Sequence, residues 1–346
     1  MLRPRVGTCF LDDGGNAARS LLLAFGLASL VAHAKAGPAG LEKETIPSAV
    51  VSSPWSLSVT LLGGWDTNAL QLPKAITSPG DPSRRGFGFF ESSIELSYEK
   101  EFHWATLTAA YSLTQDIYDG AIDNNLADHV WMLSLGKTAD ESATWGWNLG
   151  LEDEYQRYDE EPFENEFRVL SAMTYRWTNG LASTVGYELH YNDFYFATSP
   201  VATLDSVQHV VFVDQDFALG EQYTLTLGYL HRWDLARGGD ADRNRDQLSV
   251  KLKGSLSPVS ESFLHSIKFS ATFKHQWDDF LRAQSSTAFR TGRDDDNDTV
   301  NVGLEREMNS HWKIVAGYRY LRTDSNLPVR TYDEHIITAG VKLTFP

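Results

Sequence analysis

Period-two alternation of apolar and polar positions is plainest near the C-terminal end. In Tyr332–Phe345 the residues Ile337, Ala339, Val341, Leu343 and Phe345 are apolar, Thr338, Lys342 and Thr344 are polar, and Gly340 sits between them. That is roughly ten residues, the length a tilted β-strand needs to cross a bilayer. The pattern recurs upstream. Trp55, Leu57, Val59 and Leu61 share one face, as do Phe90, Ile94, Leu96 and Tyr98, then Ala105, Leu107, Ala109, Tyr111 and Leu113. Further segments centre on Trp131–Leu135, Trp145–Leu151, Phe167–Trp177, Val185–Tyr191, Tyr223–Trp233, Leu248–Leu256, Ile267–Trp277, Val300–Leu304 and Trp312–Tyr320. The stretch Val207–Phe217 is apolar on both faces and does not fix its own phase. In all, about fourteen strands are predicted, with no helical period in the region from Trp55 on.

The connections alternate in length. Long polar stretches are expected after Trp65 and at Gln115–Ala127, Tyr158–Glu164, Asp193–Asp205, Asp234–Asp246, Asp278–Asn297 and Thr323–Thr331. Short turns are expected at Glu99–His103, Lys137–Ser142, Thr178–Gly180, Gly220–Glu221, Ser257–Ser262 and Met308–His311. Sorting of loop lengths by end implies an all-β, up-and-down antiparallel transmembrane barrel over residues 55–345. A soluble sandwich has no reason to sort its loops this way. Trp55, Trp145, Trp147, Trp177 and Trp312 fall at turn-side strand ends, and Trp65, Trp233 and Trp277 at loop-side ends. Two aromatic girdles are expected of a membrane barrel. By parity Trp104 points inward, and Trp131 falls nearer mid-strand.

Composition adds a leader and an address. Arg19, the apolar run Leu21–Val31 and the small-residue exit Ala32–Ala36 read as a secretory signal peptide over residues 1–36. The run is too short to span a bilayer comfortably as a helix. Residues 37–54, with Pro38, Pro47 and Pro54, read as a periplasmic lead-in. Cys9, the one cysteine, would leave with the leader, which suits an oxidising compartment crossed without disulfides. The formal net charge is −16. Cleavage removes four basic residues and two acidic ones, so the mature chain is more acidic still. That balance excludes a nucleic-acid binder. The expected partners are outer-membrane lipid and the barrel-assembly machinery.

The terminal strand, closing on an aromatic, resembles the last strand of bacterial outer-membrane β-barrels, which carries their assembly signal. The opening strand and its exit, GGWDTNAL (Gly63–Leu70), resemble those of the β-barrel porin families, where an aromatic-Asp-x-Asn pattern leads into the first loop. The final hairpin, Gly317–Phe345, is similar to that of the same group, with Pro346 as a departure. The resemblance implies an outer-membrane barrel. Similar barrels form the membrane half of surface-lipoprotein assembly modifiers and exopolysaccharide exporters, where a periplasmic helical-repeat region precedes the barrel. Here only residues 37–54 stand between leader and barrel.

Candidate chemistry lies on the inward faces. Glu91, Glu95, Glu152, Glu154 and Glu188, joined by Asp214 and Asp216 under one phasing of the eighth strand, fall on earlier strands. Lys251, Lys253, Lys268, Lys274, Arg319 and Lys342 fall on later ones, with Arg168, Arg176 and Glu305 as exceptions. These are the expected pore-lining residues, and their segregation implies a transverse field across an aqueous lumen. A salt-bridged interior that fills itself is the competing reading. The run Asp294–Asp298 lacks the glycine and distal glutamate of an EF-hand and reads as a solvated loop, as do Asp159–Glu161 and Gly238–Asp242. Asp278-Asp279 resembles the acidic pairs of barrel proteases, with His275 or His231 as candidate bases, but a generic acidic rim is the simpler reading. His190 has no serine at the matching position, and His265 and Ser266 point to opposite faces. No zinc-ligand spacing, nucleophile elbow or P-loop appears, so no catalytic residue, metal site or cofactor is assigned.

The expectation is a passive, porin-like channel for small polar solutes in the bacterial outer membrane. The alternative is the membrane component of an export or surface-assembly system working with a separate periplasmic partner.

Overall fold

The computed structural model describes residues 53–68, 86–119, 125–139, 144–158, 161–195, 205–237, 242–256, 267–281, 293–327 and 330–345. The signal peptide, the lead-in up to residue 52, the Ser257–Ser262 turn, Asp159-Glu160 and 238–241 lie outside these residues. Fourteen strands follow one another: β1 (Trp55–Asp66), β2 (Phe87–Glu101), β3 (Thr106–Tyr118), β4 (Leu126–Lys137), β5 (Trp145–Tyr158), β6 (Glu161–Thr178), β7 (Leu181–Phe194), β8 (Ser206–Leu219), β9 (Tyr223–Ala236), β10 (Arg243–Leu256), β11 (Ile267–Phe280), β12 (Asp294–Glu307), β13 (Trp312–Ser325) and β14 (Tyr332–Phe345). Each strand pairs antiparallel with its sequence neighbours. β14 returns to β1, with Leu57 opposite Phe345 and Trp65 opposite Ile337, and the sheet closes into a barrel.

The strands run from 12 to 18 residues. A tilted strand needs only about 9–11 to cross a bilayer, and the surplus lies on the loop side. This corrects the expected connections. Tyr158–Glu164 is not a long loop, because β5 runs through Tyr158 and β6 begins at Glu161. Asp234–Asp246 narrows to 237–242, and Asp278–Asn297 narrows to 281–293. The acidic run Asp294–Asp298 is therefore strand, not loop. In the shortened β9–β10 link, Asp242 accepts a hydrogen bond from Ala236 N at 2.7 Å. The polar segments stay in the sheet because their side chains find partners across it.

The outer wall is apolar and exposed. Trp145, Leu149, Met173, Trp177, Val185 and Ile337 are all more than half exposed. In water this would be a large aggregation-prone patch; in hydrocarbon it is the surface that lipid covers. Turn-side aromatics pack in pairs, Trp55 with Tyr98 at 4.8 Å and Trp145 with Tyr175 at 4.5 Å. Trp104 does not point inward, because it lies in the β2–β3 turn rather than in a strand. There it stacks on Phe102 and Trp147 and joins the turn-side girdle. Trp131 faces outward beside Tyr111 and His129, high on the short β4.

The phase of β8 is set by its neighbour. Val207, His209, Val211, Val213, Gln215 and Phe217 face out, while Gln208, Val210, Phe212, Asp214 and Asp216 face in. Phe212 is accommodated inside because Gly186 on β7 lies directly opposite it, and its ring covers the glycine. Phe89 covers Gly64 in the same way between β2 and β1. Among the described residues the one positive-φ glycine, Gly220 at 73°, makes the β8–β9 turn.

A methyl group at Gly186 would lie 2.1 Å from Phe212 Cζ. Gly186→Ala should therefore destabilise the barrel by about 1–3 kcal/mol through overpacking, and Phe212→Leu in that background should recover most of the loss. Urea midpoints of the refolded barrels check this. Equal midpoints for wild type and Gly186→Ala would show that the ring does not hold that seat.

Candidate functional site: the inner wall

The register places all eleven expected lining residues on the inward face. Glu91 and Glu95 lie on β2, Glu152 and Glu154 on β5, Glu188 on β7, Lys251 and Lys253 on β10, Lys268 and Lys274 on β11, Arg319 on β13 and Lys342 on β14. Strand order keeps the carboxylates on one arc, extended by Asp214 and Asp216 of β8, and the amines on the other. Glu95 accepts from Ser58 Oγ at 3.3 Å. Lys268 pairs with Glu307 at 3.1 Å, with both side chains 46% exposed. Screening makes such a pair worth little.

The wall has two halves. Among the described residues, every side chain below a tenth exposure lies in the loop-side half or its links, except Ala105. We call this packed half the collar. Below it, toward the turns, inward side chains such as Glu95, Lys253 and Lys342 remain partly exposed.

On the acidic arc the collar is organised by Arg168, one of the apparent exceptions in the sequence pattern. Its Nη1 reaches Glu152 Oε1 at 2.5 Å, and its Nη2 reaches Glu154 Oε2 at 2.7 Å and Glu166 Oε2 at 3.1 Å. Beside it, His190 bridges Glu166 and Glu188, Nδ1 to one at 2.6 Å and Nε2 to the other at 2.7 Å. One guanidinium and one imidazole thus hold four carboxylates that would otherwise repel one another.

On the opposite arc arginines and aspartates alternate. Arg232 Nε meets Asp234 Oδ1 at 2.6 Å, and Arg243 Nε meets Asp234 Oδ2 at 2.5 Å. Arg245 grips Asp278 with a fork, Nε to Oδ1 at 2.6 Å and Nη2 to Oδ2 at 3.0 Å, the planar geometry for which arginine is suited. Gln276 and Asn297 also donate to Asp278 Oδ2, at 2.9 and 3.3 Å, and Thr323 donates to Asn297 Oδ1 at 2.8 Å. Arg293 pairs with Asp295 through Nε at 2.9 Å. The Phe280 ring faces both Arg293, at 4.4 Å, and Arg243, at 5.7 Å, so the aromatic face adds to their stabilisation. Arg330, in the β13–β14 link, faces the same group; burial, then the Arg293 charge, brings its pKa down to about 10.

The candidate acidic pair does not form. Asp278 faces inward and is held by Arg245, while Asp279 faces outward. Neither candidate base reaches Asp278. His275 lies on the outer wall against Asp298, and His231 lies there against Asp246, each at 2.7 Å. The Asp294–Asp298 run is split likewise, with Asp295 and Asn297 buried inside and Asp294, Asp296 and Asp298 on the outer face. Sequence reasoning missed the collar arginines Arg232, Arg243, Arg245 and Arg293, together with Glu166. The available signal was the continued alternation of Arg243, Arg245 and Gln247, and of Arg293, Asp295, Asn297 and Thr299, past the last apolar residue.

A closed wall that is apolar outside and charged inside, with its backbone paired all round, has no place in water. The chain is a transmembrane β-barrel of the bacterial outer-membrane type. No family model matches the sequence, and no curated protein matches it. Similar solved structures include OmpT, an outer membrane protein of Vibrio cholerae (10% identity, 86% of this chain and 100% of that one, TM-score 0.47). An anion-selective porin from Comamonas acidovorans is similar at 8% identity, over 84% of this chain and 98% of that one, with a TM-score of 0.46. The outer membrane channel DcaP of Acinetobacter baumannii is similar at 9% identity, over 84% and 97%, also at 0.46. The class rests on this chain's own register and wall.

Asp278 accepts from Arg245, Gln276 and Asn297. Asp278→Ala leaves Arg245 without its fork partner and should cost about 3–5 kcal/mol. Lys268→Ala, at an exposed pair, should cost less than about 1 kcal/mol. Urea unfolding followed by tryptophan fluorescence separates the two, and similar losses would show that burial of the collar does not set its energetics.

Proposed function

We propose that this barrel is a passive, porin-like channel of the bacterial outer membrane for small polar solutes. The observation that carries the reading is the inner wall below the collar, charged, partly exposed and divided into an acidic and a basic arc. Side chains alone do not easily fill a barrel of fourteen strands. Opposed arcs in such a space set up a transverse field that orients dipolar solutes and biases ion passage. On this reading the inward lysines and glutamates below the collar act on a passing ion.

Single-channel conductance of the purified barrel in a planar bilayer tests this. Stable steps with ion selectivity are expected. A tight membrane with correctly inserted protein would overturn the reading and favour a membrane component that works with a separate periplasmic partner.

Charge reversal locates the field. Lys251→Glu, Lys253→Glu, Lys268→Glu and Lys274→Glu together should move the reversal potential toward cation selectivity. Lys268→Glu alone should move it less than the fourfold change, because one charge is reversed instead of four. Unchanged reversal potentials in the fourfold variant would show that these amines do not face the conducting path.

A further inference from the structure

Five of the six histidines on described strands point out of the barrel, and their arrangement repeats. His129 on β4, His209 on β8, His231 on β9, His275 on β11 and His335 on β14 each bond through Nδ1 to a side chain of an adjacent strand. The partner is a tyrosine hydroxyl in three cases: Tyr111 at 3.0 Å, Tyr187 at 2.7 Å and Tyr318 at 2.9 Å. It is a carboxylate in two, Asp246 and Asp298, each at 2.7 Å. Asp246 is also held by Tyr229 Oη at 2.5 Å. The two carboxylate units are copies of one sequence unit, His-x-Trp-Asp, at His231–Asp234 and His275–Asp278. In both, the imidazole meets the tryptophan edge to face at 4.2 Å.

The five share a level. On each strand three to five outward residues, most of them apolar, separate the histidine from the turn-side end. At about 3.3 Å per residue that is roughly 20–30 Å of tilted strand, the height of the apolar band of an outer-membrane-type barrel. The imidazoles therefore lie where hydrocarbon gives way to lipid headgroups on the loop side. Trp233 and Trp277 stand one outward position further on.

With Nδ1 occupied, Nε2 is the nitrogen left to meet whatever lies outside the wall, and among the described residues it has no hydrogen-bond partner. Where a tyrosine hydroxyl donates to Nδ1, Nε2 carries the proton and is a donor. Two of the outer-face carboxylates near this level, Asp246 and Asp298, are turned onto the histidines, and a third, Asp153 on β5, faces out opposite Trp131. Arg322 on β13 lies on the same outer face, paired with Asp324 at 2.9 Å. N–H donors at the headgroup boundary match phosphate oxygens.

We propose that this histidine belt is a binding surface for the phosphate groups of loop-side-leaflet lipid. It engages them through Nε2–H of the three tyrosine-held rings, His129, His209 and His335, each oriented by its neighbour's hydroxyl, while His231 and His275 give their Nδ1–H to aspartate. The inference rests on the outer wall and stands whether or not the lumen conducts.

The test is a contact measurement. The full barrel, with ¹⁵N-labelled histidine, is reconstituted in phosphatidylcholine bilayers containing diphosphoryl lipid A, and ¹⁵N–³¹P dipolar dephasing is recorded. A bonded Nε2 sits about 4 Å from phosphorus, so strong dephasing of imidazole signals is expected. It should be lost when the five belt histidines are replaced by glutamine, in a variant whose heat-modifiable gel migration confirms a closed barrel. Tyr187→Phe frees His209 from its orienting bond and should weaken that residue's contribution alone. Addition of inorganic phosphate in place of lipid A, in a bilayer of uncharged phosphorus-free glycolipid, should give no dephasing. Absence of dephasing in the wild type, as when a second copy of the barrel covers the belt, would overturn the proposal. So would dephasing that survives the fivefold replacement.

Discussion

In hydrocarbon an unpaired backbone N–H or C=O costs several kcal/mol, because no water is present to take the bond. The pairing of β1 with β14 is therefore the contact on which the rest depends. It runs ten residues, from Leu57 opposite Phe345 to Asp66 opposite Ile336, and it removes the only two edges the sheet would have. Once the wall is closed, alternation along each strand sorts side chains into two media. Lipid then takes the face that water would reject, and most charged groups on the membrane-crossing part are sent inward.

Inside, the two halves of the wall solve different problems. Above the bilayer the strands continue without an apolar face to stabilise them, so ionic and amide ladders hold them together. Arg245 with Asp278 ties β10 to β11 at that height, and Arg168 with its three carboxylates ties β5 to β6 at the upper edge of the apolar band, behind the outward Phe167 and Val169. Toward the turns the lipid-covered face supplies the cohesion. The inward lysines and glutamates there stay partly exposed along the wall.

Much of the fold was legible in the sequence, for a physical reason. A strand with lipid on one side and water on the other must alternate, and almost every membrane-crossing segment does. The exception, β8, was opaque because its inward Val210 and Phe212 answer to Gly186 on a neighbouring strand, which no pattern within β8 reveals. The lining residues of the lower wall followed from the same parity. The collar followed only in part, through Glu152, Glu154 and Glu188, because polar runs such as Asp294–Asp298 and Arg243–Gln247 look like loops unless their cross-strand partners are known. Apolar periodicity marks where the membrane is and falls silent where the sheet rises above it. The false lead of Asp278 with His275 or His231 has the same origin: neighbours in sequence there lie on opposite faces of one wall.

An even number of strands brings both ends of the barrel to one rim. Trp55 and Phe345 lie on adjacent strands at the turn-side mouth, two residues out of register with each other. Termini that close together lend themselves to being joined. A circular permutant linked there and reopened in a loop-side connection would keep every ladder of the wall intact. By the same geometry, anything tethered to either end of the barrel is held at a single mouth, the one opposite the collar.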